Sequence, residues 1–404
     1  MQLREAVLRI LCDPSPSQYP RLLYLSHREW RHLLNWLDTS GLALYFLDRL
    51  SEMDLLELLP QPVLDRLRQN LTDNSERIEA MIAESVAIQR GFQQEGLSYA
   101  VLKGFSLWPL SVPKLELRSQ LDLDFLVPEE SANDARKILE NAGYRLHAVS
   151  GRTWEFKANE GRTTSLKQLY KAGMSRSAEL HLESSNTSLL SRAQQLFFYG
   201  VCMPVLSPVD LFVGQGLHLY KHVCSEFSRT AHLIEFRRHV IARYRDDAFW
   251  SELRQRLAVE PETSIRLGAC ILLISRVMGP FAPEALTRWT VDLLPPSASL
   301  WIALYGRSTV LASFPGSKLY LLLQKELEEA GLPAKRSLPR ALLPRRLPPP
   351  IAHAVAGETL LARMTRYCRQ LRFVMFRLRF HALEGIRYFR ESMLWRRLRN
   401  EPSQ

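Results

Sequence analysis

Residues 120–127 read Gln-Leu-Asp-Leu-Asp-Phe-Leu-Val, an alternation that suits an extended strand. On a strand, Leu121, Leu123 and Phe125 share one face. Asp122 and Asp124 share the other, about 7 Å apart along the chain. Pro128-Glu129-Glu130 then marks a turn. The flanking apolar residues seat the strand in a core, so both carboxylates are presented from a rigid element. Such a pair suits one or two Mg²⁺ ions, hard cations that take carboxylate oxygens and keep open positions for phosphate. An edge strand with two solvated acids has the same pattern, so the neighbouring segments must decide.

Those segments supply more strands. Residues 99–102 (Tyr-Ala-Val-Leu) predict a short strand ending at Lys103-Gly104. Residues 144–148 and 154–157 predict two strands around a turn at Gly151, and residues 178–183 (Ala-Glu-Leu-His-Leu-Glu) alternate again. Between them, residues 131–142 predict a helix with Ser131 as its cap, Asp134 at the third position and Gly143 as its stop. Residues 97–187 are therefore expected to hold the sheet.

On either side the periodicity is helical. Residues 1–96 form an N-terminal helical region: Trp30, Leu33, Leu34 and Leu37 keep helical spacing, residues 42–50 are apolar, and a long run from Val63 stops at Gly96. Residues 188–330 form a second helical domain, with runs at 209–223, 231–243, 247–257 and 263–277. The fold class is α+β, a small mixed sheet embedded in a mostly α-helical protein.

Charge is unevenly spread. The net charge is +11, but residues 331–404 hold one Lys and fifteen Arg against four Glu, a balance of +12. The preceding 330 residues are thus close to neutral, which argues against a nucleic-acid face on the main body. Residues 331–358 are rich in Pro and Arg and read as a linker; residues 359–404 read as a basic amphipathic helix. There Arg363, Arg366, Arg369, Arg372, Arg377 and Arg379 alternate with Leu371, Phe373, Phe376 and Phe380. Arg on one side and aromatics on the other would suit an anionic membrane surface, an acidic partner, or nucleic acid through its phosphates. A terminal helix packed on the body, with Arg stems lying over it, explains the composition equally.

Hydrophobic residues make up 46% of the chain, enough for a core, so a disordered chain is excluded. No run of 18 apolar residues occurs, and Arg4 and Arg9 flank a short apolar run ending at Asp13-Pro14, unlike a secretory leader. Five scattered cysteines without a CxxC pair read as free core thiols in a reducing, cytoplasmic compartment, with peripheral contact at the inner membrane surface open through the tail. His218 and His222 have the spacing of a zinc protease helix, but Leu219 stands where such a site needs Glu, and they read as helix-face histidines. Gly214-Gln-Gly216 is too bare for a dinucleotide fingerprint.

The remaining chemistry gathers around the acidic strand. Gly104 lets the backbone approach a phosphate, and Lys103 offers a point charge. Arg118, four residues before Asp122, suits a phosphate or would neutralise the acids. Glu179, His181 and Glu183 share one face of a later strand and offer the third carboxylate that a two-metal site needs. His181 reads as a residue orienting a ligand rather than as one.

The run Leu102-Lys103-Gly104, Arg118-x-x-x-Asp122-Leu-Asp124-Phe-Leu-Val127 and Glu179-Leu-His181 resembles the uncharacterised nucleotidyltransferase family of the polymerase-β superfamily. The resemblance covers roughly 200 residues, reaching from about Ser40 to Val240, where Asp210, His218 and Glu235 resemble a helical pattern of that family. It implies a polymerase-β-like core that transfers a nucleoside monophosphate from a nucleoside triphosphate (NTP) to an unknown acceptor, using Mg²⁺ and releasing pyrophosphate. Asp122 and Asp124 would be the metal pair and Glu179 the third carboxylate, with Glu183 as the alternative. Lys103, Gly104 and Ser106 would face the triphosphate, supported by Arg118. The chain departs from the pattern at Gly104-Phe105-Ser106, where Gly-Gly or Gly-Ser is usual. It also departs at Glu179, where Asp is usual, and at Leu182, where an aromatic follows the His. The competing expectation is an inactive scaffold of the same fold acting through its basic tail.

Overall fold

The computed structural model of the 404-residue chain describes residues 2–13, 19–22, 24–158, 169–171, 176–184, 188–333, 338–344 and 358–400. Two compact units emerge, one from residues 2–216 and 231–256, the other from residues 217–230 and 257–404.

In the first unit, helices α1 (Gln2–Cys12), α2 (His27–Ser40), α3 (Ala43–Glu52) and α4 (Gln61–Gln94) precede the sheet. A capping box starts α2: Ser26 Oγ accepts from the Glu29 amide while Glu29 accepts from the Ser26 amide at 2.9 Å. Its predicted apolar positions, Trp30, Leu33, Leu34 and Leu37, are all buried. Gly96 follows α4 with φ +64°, a conformation that lets the chain leave the helix at little cost.

The strands are β1 (Ala100–Leu102) and β2 (Asp122–Pro128), then, after helix α5 (Ala132–Asn141), β3 (Arg145–Ser150), β4 (Thr153–Ala158), β5 (Arg176–Glu183), β6 (Gln194–Phe198) and β7 (Val201–Val205). They form one mixed seven-stranded sheet in the order β3-β4-β5-β2-β1-β7-β6. β2 lies parallel to β5 and antiparallel to β1, so it is an interior strand and not the edge alternative. Period-two geometry sorts its side chains as expected. Leu123, Phe125 and Val127 enter a core with Ile78, Met81, Ile88 and Phe92 of α4 and with Ala135 and Leu139 of α5, leaving the acids on the opposite face. α5 approaches α4 closely at Gly91, where an added Cβ would stand 2.8 Å from Ile138 Cγ2.

Two local expectations give way. Ser131 does not cap α5: a 3-10 turn at Glu129–Ser131 already holds it in helical conformation, φ −89° and ψ 0°, whereas a cap needs an extended backbone. Asp134 pairs instead with Lys137 at 2.8 Å. The sheet also extends beyond residue 187, because β6 and β7 form a hairpin through Tyr199-Gly200 and β7 runs parallel to β1 at Val101 and Val205.

Helices α6 (Pro208–Val223), α7 (Thr230–Ala242), α8 (Asp247–Val259) and α9 (Pro261–Met278) follow the predicted helical runs. Then come α10 (Glu284–Thr290), α11 (Pro296–Trp301), α12 (Arg307–Val310), α13 (Tyr320–Glu329), α14 (Leu338–Leu342) and α15 (Leu360–Asn400). In the second unit α9 is buried, with Leu267, Cys270, Ile271 and Ile274 in the core, and Gly268 fits against the backbone of Thr290. Of the predicted linker, residues 334–337 and 345–357 lie outside the described residues; the described part includes α14, whose Ala341 carbonyl accepts from Lys318 Nζ at 2.7 Å. All five cysteines are free thiols, but Cys202 and Cys368 are exposed rather than in the core. Among the described residues no helix is long and apolar enough to cross a membrane.

Candidate active site

The site is built where β1, β2 and β5 meet. Asp124 is the register partner of Leu102 on one side and of Glu179 on the other. Leu102 is the last residue of β1, so Lys103 leaves the sheet beside Asp124. Its backbone sits at φ +49°, and Gly104 follows at φ +46°. The Lys103 Nζ donates to Asp124 Oδ1 at 3.0 Å. From the other side, His181 Nε2 lies 2.9 Å from the same oxygen and 3.3 Å from Glu179 Oε2. Thr153 Oγ1, on β4, lies 3.4 Å from His181 Nδ1.

Asp124, Glu179 and His181 each offer a ligand atom within 4.8 Å of the other two, while Asp122 stands outside that set. The aspartate pair shares a face, as the alternation requires, but one strand repeat separates the carboxylates. His181 fills the nearer position. The sequence carries its signal, since His181 follows Glu179 by two residues and so shares its face. Glu183 is committed elsewhere: its Oε1 accepts from the backbone amides of Leu189 at 2.6 Å and Leu190 at 3.2 Å.

Burial and charge act against one another in this cluster. Burial would raise the Asp124 pKa, but the hydrogen bond from His181 and the charge of Lys103 hold it below the ordinary carboxylate range. Asp122 goes the other way, to about 6, because burial and the charge of Asp124 outweigh Lys103 and Arg118. Burial opposes the Lys103 ammonium, yet Asp124, with Asp122 and Glu179 behind it, keeps its pKa raised. Asp122 is lifted first by burial and then by the negative charge of Asp124, and that second contribution is one a further cation would relieve. Two carboxylates and an imidazole form a donor set that a divalent cation accepts, so the residues fit a metal ion.

The expected phosphate residues separate into two kinds. Lys103 and Gly104 lie at the acidic cluster. Gly104 is fixed by its backbone and by Gln120, whose side chain an added Cβ would strike. Ser106 is buried, and its Oγ donates to the Lys103 carbonyl at 2.8 Å, closing the turn. Arg118 is half-buried, with Nε 3.3 Å from each carboxylate oxygen of Glu235. Tyr45 donates its hydroxyl to Glu235 Oε1 at 3.0 Å. Burial opposes the Glu235 charge, but Arg118 and His232 pull its pKa down to about 2. Arg118 thus neutralises an acid, as one reading of its position allowed, but that acid is Glu235 on α7. Tyr45 was not legible as a partner, since 190 residues separate it from Glu235.

No curated protein matches the chain. Among solved structures, the antibiotic-resistance factor ANT(2'')-Ia is similar over 45% of this chain and 95% of its own, at 11% identity and a TM-score of 0.33. An antigenic nucleotidyltransferase-like protein from Paracoccidioides brasiliensis is similar over 53% of this chain and 98% of its own, at 13% identity and a TM-score of 0.31. The sequence profile of an uncharacterised nucleotidyltransferase family matches residues 26–279, well over half of the chain, and the protein therefore belongs to that family.

Proposed function

We propose that this protein is a Mg²⁺-dependent nucleotidyltransferase that moves the nucleoside monophosphate of an NTP onto an acceptor hydroxyl or phosphate. The convergence of Asp124, Glu179 and His181 within 4.8 Å on two parallel strands carries this reading. In the reaction an acceptor oxygen bonds to the α-phosphorus, a hydroxyl acceptor losing its proton to solvent water, while the bond to the β-phosphate bridging oxygen breaks and pyrophosphate leaves with that electron pair. A bound divalent cation supplies charge stabilisation to the attacking and leaving oxygens.

The chain's own residues then have distinct tasks. Asp124 and Glu179 would hold the cation with Asp122 alongside, and His181 would serve as a further ligand. Lys103 turns from Asp124 to the triphosphate, which replaces one negative partner by another. Gly104 brings the backbone close to the phosphates. Ser106 and Arg118 act one step back. Ser106 fixes the turn through the Lys103 carbonyl; Arg118 fixes the approach to β2, since its Nη1 also donates to Gln120 Oε1 at 3.4 Å.

Isothermal titration with Mg²⁺ or Mn²⁺ and a panel of NTPs tests the reading. The wild type should bind nucleotide only with metal present, and Asp122→Ala combined with Asp124→Ala should lose that binding. Equal binding by both forms, or by neither, would refute it and leave the scaffold reading.

A further inference from the structure

Helix α15 is 41 residues long and apolar on two opposite faces. One face is docked within the second unit: Phe380, Tyr388 and Trp395 are buried, and Trp395 Nε1 donates to Glu326 Oε1 at 2.7 Å. The other face is open. Starting at Leu360, Met364, Tyr367 and Leu371, apolar residues recur in steps of four, three and four. Two further cycles carry the pattern through Ala382 to Met393. Eleven residues in three turns lie close to the pitch of a straight helix, so the stripe drifts only about 20° around it per cycle. It runs about 50 Å. Its nine large side chains are between 48% and 73% exposed, far more contiguous apolar surface than isolated exposed residues produce.

Charge flanks this stripe with one sign only. Arg372, Arg379, Arg390 and Arg397 are all exposed and spaced seven, eleven and seven residues apart, which places them in a single row beside it. Arg396 closes the stripe three residues after Met393. The two acids of the helix lie on the docked face. Glu384 Oε2 accepts from the Lys318 amide at 3.0 Å, and Glu391 Oε2 accepts from the Tyr305 hydroxyl at 3.2 Å. Arg390 also reaches Glu391, at 2.8 Å, yet remains 74% exposed.

From this arrangement we propose that the open face of α15 is a docking surface for an anionic lipid bilayer, with the helix lying in the plane of the headgroups. Leucine, methionine, isoleucine and phenylalanine would enter the acyl boundary while the arginine row meets lipid phosphates. Nucleic acid would use the row but leave the stripe in water. A second copy would cover the stripe, but no acid on the open face could meet the partner's arginine row in either helix orientation, so like charges would face one another. The proposal is independent of the metal site.

Flotation of the full-length protein with two kinds of vesicle tests it: phosphatidylcholine alone, and equal parts of phosphatidylcholine and phosphatidylglycerol. The wild type should float with the mixed vesicles only. Replacing the row (Arg372→Gln, Arg379→Gln, Arg390→Gln and Arg397→Gln) should lower partitioning at least about tenfold. Replacing part of the stripe (Leu371→Ser, Met375→Ser and Leu378→Ser) should do the same, with the helical circular dichroism of both variants unchanged. Absence of flotation, or equal partitioning to both vesicles, overturns the proposal. So does full binding by the serine variant, which would indicate a purely electrostatic partner, or a wild-type dimer in light scattering that the serine variant converts to monomer.

Discussion

Lys103 and His181 meet on a single oxygen of Asp124, at 3.0 and 2.9 Å, from opposite neighbouring strands. The Lys103 ammonium thus occupies a position at which a metal ion would compete. Lys103→Met removes one competitor. Mn²⁺ affinity without nucleotide should rise several-fold, up to about tenfold, while NTP affinity with metal present should fall. Calorimetry reads both; an unchanged or weaker Mn²⁺ affinity would show that Lys103 does not guard the site.

His181 distinguishes among metals. Imidazole suits Mn²⁺ better than Mg²⁺, which prefers oxygen. His181→Ala should therefore weaken Mn²⁺ more than Mg²⁺, measured by competition between the two ions. Equal losses would mean that His181 only orients Asp124 and Glu179.

The Glu235 ion pair predicts an acid limb. Its carboxyl titrates near 2 in the folded protein against an ordinary 4.5. A depressed carboxylate stabilises the fold fully above the unfolded value, and that stabilisation is lost as pH falls from about 4.5 toward 2, a contribution on the order of 3 kcal/mol. Glu235→Gln should lower Tm at neutral pH and flatten its fall across that window. Thermal melts from pH 7 to 2 check this, and parallel curves for the two proteins would contradict it.

Gly104→Ala should cost about 1–3 kcal/mol, because φ +46° suits glycine and the new Cβ meets Gln120. Gln120 Nε2 donates to the Asp122 carbonyl at 2.9 Å, so displacing it should also weaken metal binding. Chemical denaturation gives the first effect and calorimetry the second. Wild-type values in both would show that the turn tolerates a side chain.

The parts that could be read from the sequence were those where one physical rule acts locally. Leu123, Phe125 and Val127 alternate with the acids, and helices such as α2 carry their apolar stripe at helical spacing. The hairpin β6–β7 escaped because Gln194-Gln-Leu-Phe-Phe does not alternate and Pro204 argues against an interior strand. Its one signal was Gly200, at φ +81° after Tyr199 at +43°. The residues that hold the site share a different difficulty. Arg118 meets Glu235, and His181 meets Asp124, only because distant segments become neighbours. Spacing along the chain does not encode that closeness. The family resemblance supplied part of what periodicity could not.

Helix α4 reaches into the approach to β2. Asn74 Nδ2 donates to the carbonyls of Glu116 at 2.6 Å and Arg118 at 3.1 Å, and Arg77 Nη2 braces Asn74 at 2.5 Å. The acidic strand therefore begins from a segment tied down by a helix some forty residues earlier. A fragment starting at residue 97 would keep every signature residue yet lose this anchorage, together with the Phe92 and Ile88 packing beneath Phe125. The shortest piece able to retain the chemistry must include α4, and trimming to the recognisable motif would yield a sequence that still looks like an enzyme but cannot hold its own carboxylates in place.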